Sequence, residues 1–586
     1  MRAASHVRRA LRGCLKQHAT QLLSRKSLVA STAAAVQQHS EAHNDDTTSW
    51  RSVPYATAAL LSVATFSHQL AFAEAATHPV SPPPSQQTAP GGAKRSDGSA
   101  WPVFRRAEVA THTSRDTGGV WVTYRDGVYD VTDFVANHPG GSEKLLLAAG
   151  KSVDAFWSLY PQHLNTGTAV AALAARRIGT LHADDVATEA AALPKDDPYR
   201  RDPAVHPALH LHARTPATAE PPLTLLVHNY ITPAELWFVR SHHPVPATAL
   251  APCNDSDYPV QVTIAHHTSS SNAPVTHTLT LADLKTRFPR HTVIASTQCG
   301  GNRRSDMNTH RPTAGIAWAQ GAISTAQWTG ARLSDVLKAF VGDSDTADLK
   351  HVVFTGADGM TASIPASKAL ASDGDVLLAY EMNGAPIPAH HGAPLRAVVP
   401  GYVGVRSVKW LISISTSAEE GSGPWQRGMA YKAFPPGQTA IGPDDDVASL
   451  PSVQEQPVNS AIAVATADGD VVSLKGYAYS GGGRRIIRVD VSVDGGTTWH
   501  TASVDPQSGG DQPSGRAWAW TLWEANVSLR GAGVKPGDKI TCVCKATDEA
   551  MNTQPERVGP IWNLRGLNCN AWHTVQVTVA EDETQE

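Results

Sequence analysis

Cysteine is scarce in this chain: six in 586 residues, at positions 14, 253, 299, 542, 544 and 569, with no C-x-x-C pair among them. A framework of paired cysteines is thereby excluded, and the thiols read as mostly reduced. An excess of charge is missing as well. With 49 basic and 53 acidic residues the net charge is -4, which gives no electrostatic basis for a nucleic-acid partner. The weakly apolar stretch from Tyr55 to Ala76 is broken by His68, Gln69 and Glu74, so no stable membrane insertion is expected. Acid is absent at the N-terminus: Arg2, Arg8, Arg9, Arg12, Lys16, Arg25 and Lys26 precede the first acidic residue, Glu41. Leu11, Leu15, Leu22 and Leu23 set against that basic run permit an amphipathic helix of the mitochondrial-import kind. The apolar stretch behind it suits sorting and cleavage, which predicts the intermembrane space, with Pro79 to Ser99 as a disordered lead-in.

Length alone suggests about three or four domains, and composition divides the chain at 1–100, 101–182, 183–198, 199–446 and 447–586. Folded structure is expected from Trp101, where Trp121 to Tyr124 and Val128 to Val131 flank Arg125-Asp126-Gly127 as a hairpin. Helical patterns follow to His182. From Ala183 to Pro198 the chain is Ala-rich and acidic, which reads as a flexible tether. Tyr199 to Asp446 mixes short strands, helices and Gly/Pro turns and reads as an α+β domain. Beyond Val447 alternation takes over, as in Ile486 to Val493 followed by the turn Asp494-Gly495-Gly496, and predicts an immunoglobulin-like (Ig-like) β-sandwich. Cys542 and Cys544 share one face of a strand there, as core residues would.

His138-Pro139-Gly140-Gly141 permits a tight turn and a close backbone approach to a flat ligand, and His163 follows 25 residues later. Leu145, Leu146, Leu147, Phe156, Trp157 and Leu159 lie between them. Two imidazoles would fill both axial positions of a haem iron, leaving it to carry electrons. Trp101 to His182 resembles the cytochrome b5 family, with His138 and His163 at the positions of its haem ligands; the resemblance implies haem b.

Cys299, in Gln298-Cys299-Gly300-Gly301-Asn302-Arg303-Arg304, offers a soft thiolate, and Arg303 and Arg304 are close enough in sequence to lower its pKa or hold an anionic cofactor. Around it occur, in order, Asn229 to Pro233, Phe238 to His242, Ala379 to Gly384, His391 to Arg396, Val408 to Leu411, Trp425 to Arg427 with Tyr431-Lys432, and Trp562 to Gly566. Together these segments resemble the sulfite oxidase family over Trp101 to about Val579. The resemblance implies that Cys299 binds the molybdenum of a molybdenum-molybdopterin cofactor. It places Phe238, Val239, Arg240, Ser241, His242, Asp358, His391, Arg396, Ser407, Val408 and Lys409 around the pterin and its phosphate. Arg240, Arg304, Arg565 and Tyr431 match the family's sulfite pocket, where guanidinium forks suit a doubly charged oxyanion. Ser241 stands where asparagine is common in the family and Gly300 where alanine is frequent. One extra residue separates Trp425 from Tyr431, which leaves Tyr402 and Tyr380 open as alternatives. His206, His210 and His212 have no companion cluster and are not expected to bind a metal.

The implied activity is oxidation of sulfite to sulfate at molybdenum, with electrons passed through a b-type haem to cytochrome c, in a homodimer formed by the C-terminal β-domain. The alternatives are a nitrate-reductase-like molybdoenzyme, in which the haem domain follows the molybdenum region, and a non-catalytic haem electron carrier. Domain order disfavours the first, and intact Cys299, Arg240, Arg304 and Arg565 disfavour the second.

Overall fold

A computed structural model describes residues 99–580, apart from 140, 160–162, 164–167, 188–196, 252–253, 265–273, 342–348, 443 and 510–512. The presequence, Cys14 and Cys253 lie outside the described residues. The first region is built on a five-stranded sheet in the order β1-β5-β4-β3-β2, with β1 Val103–Phe104, β2 Thr113–Ser114, β3 Gly119–Tyr124, β4 Gly127–Asp130 and β5 Arg177–Leu181. The expected hairpin is β3–β4, paired Trp121 to Asp130 through Tyr124 to Gly127. Val120, Val122, Tyr129 and Val131 pack there with Ala148, Phe156 and Trp157, drawn from the segment that carries helices α1 Ser142–Leu146, α2 Asp154–Leu159 and α3 Thr168–Ala174.

The stretch read as a tether begins differently. Ala183–Ala187 forms a helix, α4, and its acids are engaged. Asp184 and Asp185 lie 3.5 and 3.6 Å from the Arg105 guanidinium, and Asp185 accepts the Arg106 amide at 3.0 Å. Alanine-rich, acid-first sequence is good helix-starting material, so the same composition that suggests a solvated connector caps this region instead. The remainder of the tether, up to Lys195 and Asp196, lies outside the described residues.

The second region opens with a three-stranded sheet, β6 His210–Ala213, β7 Thr218–Glu220 and β8 Val239–Arg240, interrupted by helix α5 Leu223–Leu226. One larger sheet runs β10-β9-β18-β13-β14, with β9 Pro259–Ile264, β10 Val275–Thr280, β13 His351–Gly356, β14 Thr361–Pro365 and β18 Leu411–Ser417. The other runs β11-β12-β15-β16, with β11 Arg290–Gln298, β12 Ile323–Arg332, β15 Leu377–Met382 and β16 Ala385–Pro386, while β17 Arg396–Val398 pairs with β15. Val260, Val262, Val352, Phe354, Leu378 and Ile414 bury the space around these sheets. Five residues separate the end of β11 from helix α6, Arg304–His310, so Cys299 to Arg303 form the turn between them.

The last region is a sandwich of two four-stranded antiparallel sheets. One runs β19-β20-β24-β23, with β19 Asn459–Asp468, β20 Val471–Tyr479, β23 Ser503–Val504 and β24 Thr521–Ser528. The other runs β22-β21-β25-β26, with β21 Ile486–Ser492, β22 His500–Thr501, β25 Lys539–Asp548 and β26 His573–Thr578. Cys542 and Cys544 face its interior beside Val489, Val491 and Leu474, and both are free thiols. Burial raises each to about 11, so neither is a reactive thiolate. Among the described residues no helix is long and apolar enough to cross a membrane.

Candidate active site and haem cavity

His138 and His163 face each other with ring centres 6.2 Å apart and planes within 2°. Two metal–nitrogen bonds of about 2.0 Å, plus about 1.1 Å from each nitrogen to its ring centre, span about 6.2 Å. The gap therefore fits one metal ion held by two imidazoles. His138 donates its Nδ1–H to the Gly141 carbonyl at 2.9 Å, which leaves Nε2 with the lone pair a metal needs. Two cavities share these histidines. Val122, Val131, Phe134, Ala172 and Leu173 line one, and Leu147, Ala148, Val153 and Phe156 line the other. An apolar plate pierced by an iron matches this space.

Cys299 directly follows strand β11 and is held by its own amide, which donates to the Ala322 carbonyl at 2.9 Å. The Gly301 amide points at its sulfur at 3.4 Å. Tyr431 lies within hydrogen-bond reach of the thiol, and burial together with Cys299 pushes its hydroxyl well above the phenol range. It therefore stays a donor. Gly300 explains how the ring fits, because a Cβ there would stand 3.0 Å from Tyr431 Cε1. Tyr380 lies in the apolar core of this region with Tyr402 against it, and neither lines the cavity of Cys299 and Tyr431.

Arg304 is clamped. It donates to the Arg565 carbonyl at 3.0 Å and the Ile316 carbonyl at 2.7 Å, and Gly301 presses so close that a Cβ would meet its Nη2 at 2.6 Å. Burial lowers its pKa, while Cys299 and Tyr431 oppose that shift and Arg565 and Arg240 add to it, so these groups share one electrostatic field. Arg240 lines the cavity and donates to the carbonyl of Ser241. Arg565 touches Met429 Sδ at 4.0 Å, and its buried Nε has no hydrogen-bond partner. An anion would supply one.

The remaining wall is cationic. Lys409 donates to the carbonyls of Arg240 (3.2 Å) and His390 (2.9 Å) and to Ser241 Oγ (3.4 Å), and burial lowers its pKa to about 7. Arg396 donates to the carbonyls of His391 (2.7 Å) and Ser407 (2.9 Å), and burial lowers it to about 9. His391 donates to the Ala234 carbonyl at 2.9 Å and is held near 3 by burial, so it is neutral. Burial, Arg240 and Lys409 push His242 down likewise. Arg396 and Lys409 are hydrogen-bonded to carbonyls and a hydroxyl and make no ion pair among the described residues, with Asp358 and Asp202 acting on Lys409 only through space, so the pair calls for an anionic occupant. The donor set fits the phosphate of a pterin cofactor, and Cys299 fits a soft metal.

Phe238, Arg240, His242, His391, Arg396, Ser407, Val408 and Lys409 line this cavity with Cys299 and Tyr431. Ser241 is buried behind it and meets it through Lys409. Asp358 also lies behind, accepting the Met360 amide at 3.1 Å and pairing with His243 at 3.2 Å. Val239 turns the other way, into an apolar core shared with Phe156 and Trp157.

Three family models match the chain: a cytochrome b5-like heme/steroid binding domain over residues 105–182, an oxidoreductase molybdopterin binding domain over 251–425, and a Mo-co oxidoreductase dimerisation domain over 448–580. Mitochondrial sulfite oxidase of Homo sapiens is 45% identical over 488 residues, covering 82% of this chain and 85% of that protein. The chain belongs to the sulfite oxidase family. Sulfite oxidase of Gallus gallus is 44% identical, covering 81% of this chain and 99% of that protein. Nitrate reductase [NAD(P)H] of Hordeum vulgare is 34% identical over 65% of this chain and only 43% of its own length.

Within this family member the arginine pair divides. Arg303, expected with Arg304 as a charge for Cys299, is instead fully buried on the opposite side, donating to Asp306 (2.8 Å), Asn459 Oδ1 (2.8 Å) and the Ser460 carbonyl (3.0 Å). It ties the cysteine turn to the sandwich. A positive φ of 63° at Arg303 reverses the chain there and separates the two side chains. Sequence reasoning missed His390 and Met360, which also line the cavity. The adjacency of His390 to His391 was the available signal.

Proposed function

We propose that this chain is a sulfite oxidase, which oxidises sulfite to sulfate and delivers the electrons to cytochrome c. One observation carries the reading: Cys299, Arg240 and Tyr431 line a single cavity whose other wall is the buried cations Arg396 and Lys409. Cys299 would hold the molybdenum of a molybdopterin, which would supply two-electron oxygen-transfer chemistry, and His138 and His163 would hold a haem iron, which would supply one-electron chemistry. Arg396 and Lys409, with Phe238, His242, His391 and the Ser407-Val408 backbone, would hold the cofactor and its phosphate. Val239, Ser241 and Asp358 would support that wall from behind.

Arg240, Arg304 and Arg565 draw a doubly charged oxyanion to the thiolate end of the cavity. Arg304 needs no reorganisation to do so, because its carbonyl contacts and the glycine packing already fix it. Tyr431 remains protonated at any physiological pH and donates one hydrogen bond to the bound anion. Its burial beside Cys299 excludes water from that side. The same arrangement disfavours a neutral substrate, which would not answer the positive charge that Arg240, Arg304 and Arg565 bring to this end of the cavity.

The basic, acid-free N-terminus supports a mitochondrial protein, and the apolar stretch behind it supports the intermembrane space, where cytochrome c is the acceptor. The matched dimerisation domain at 448–580 supports a homodimer. Metal and haem analysis of the purified protein, followed by anaerobic titration, tests the activity. Sulfite is expected to reduce the haem; nitrate reduction with no response to sulfite would replace this reading.

A further inference from the structure

The haem cavity is not closed by its own domain. Leu225, from α5, and His228, just after it, line the same cavity as His138, His163 and Phe156. Lys144, on α1, stands at that rim with its Nζ 3.4 Å from His228 Nε2. The two regions are also joined nearby by Lys151 donating to the Pro207 carbonyl at 3.2 Å and by the Phe156 and His206 rings at 5.5 Å.

A b-type haem is apolar across its plane and carries two carboxylates on one edge, so that edge must meet donors or water. Among the described residues that line this cavity, Lys144 and His228 are, with the two axial histidines, the side chains that can meet a carboxylate at its rim. Burial lowers the His228 pKa, and Lys144 and Lys475 lower it further, so the spot favours a negative guest. The second cavity offers Arg176 as a rival. That guanidinium is already committed, donating to the Ala172 carbonyl at 2.7 Å and lying over the Phe134 ring at 4.4 Å.

We infer that a haem carboxylate sits between Lys144 and His228, one from each domain, so that haem binding itself fastens the haem domain to the molybdenum domain. The inference rests on the bis-histidine haem reading.

The test uses the full-length holoprotein reconstituted with haem b or with its dimethyl ester, which lacks the carboxylates. With haem b, a Lys144→Gln/His228→Gln variant is expected to lose haem to an acceptor apoprotein about threefold faster than the native chain, the scale of a rim ion pair. Its midpoint potential should also be more negative, since cations near the haem favour the reduced state. With the ester, the native chain and the variant should lose haem at the same rate, because the contact with the carboxylate is gone from both. Equal effects of the variant on haem loss with both haems, or no effect on it with haem b, would overturn the inference. So would a Arg176→Leu variant whose effect, rather than that of the double variant, vanishes with the ester. A native chain lacking the spectrum of a six-coordinate bis-imidazole haem would instead overturn the haem reading on which the inference stands.

Discussion

Arg303 and Arg304 are neighbours in sequence that serve opposite sides of one turn: Arg303 reaches Asn459 and Ser460 of the sandwich, while Arg304 reaches the carbonyls of Arg565 and Ile316 beside Cys299. The loop that carries the thiolate is thus pinned from behind by one guanidinium and flanked in front by the other. Position of the thiolate depends on both.

Arg303→Met should therefore act on stability. It leaves the buried Asn459 amide oxygen and the Ser460 carbonyl without their donor, and each buried group so unpaired costs about 1–3 kcal/mol. Denaturant unfolding of the holoprotein measures it. A loss below about 1 kcal/mol would mean that water replaces the guanidinium.

Gly301→Ala should act on substrate affinity. The added methyl would meet Arg304 Nη2 and Cζ at 2.6 and 2.7 Å, and Arg304 is held too firmly to yield. A displaced guanidinium costs about one charge-assisted hydrogen bond, so KM for sulfite should rise about tenfold or more. Gly469→Ala is the control, because its φ of 52° makes alanine strained but nothing lies within 4 Å. It should cost about 1 kcal/mol of stability and leave KM alone.

Arg240→Gln keeps a donor and removes the charge. We expect kcat/KM to fall by an amount equivalent to about 1.5–3 kcal/mol, chiefly through KM. An unchanged value in steady-state assays would place Arg240 outside the sulfite pocket.

How far all this could be read without coordinates varies by residue. The β3–β4 hairpin was legible because Asp126-Gly127 marks a turn between alternating strands, and Cys542 with Cys544 because a spacing of two places both on one face. The direction of Arg303 was not. It depends on one positive φ, which nothing in a Gly-Asn-Arg-Arg run announces. The helix at the start of the tether is not legible because alanine and acid suit both a solvated linker and a helix N-terminus, and only the contact with Arg105 decides. The rim at Lys144 and His228 was illegible for the same reason: it joins residues 84 apart that belong to different domains.

Acid should destabilise the protein through two buried neutral histidines. His391 and His573 are both held near 3, chiefly by burial, and His573 Nδ1 accepts the Ile462 amide at 3.0 Å. In the unfolded chain each titrates near 6.5. Between those values the unfolded state binds protons that the folded state refuses, so stability is full above about pH 6.5 and declines toward about pH 3. His573→Gln should flatten this slope by about one proton. An identical slope in the variant, measured by unfolding at several pH values, would show that His573 is charged in the folded state.

The most direct measurement is rapid mixing of the oxidised, metal-loaded protein with sulfite in the absence of oxygen, following the haem absorbance. In the native chain sulfite should reduce the haem, and sulfate should form in step. In Cys299→Ser the haem spectrum should stay intact and oxidised, because the thiolate belongs to the other cavity. Equal haem reduction in both proteins, or none in either, would contradict the assignment of Cys299 and with it the account of how this chain works.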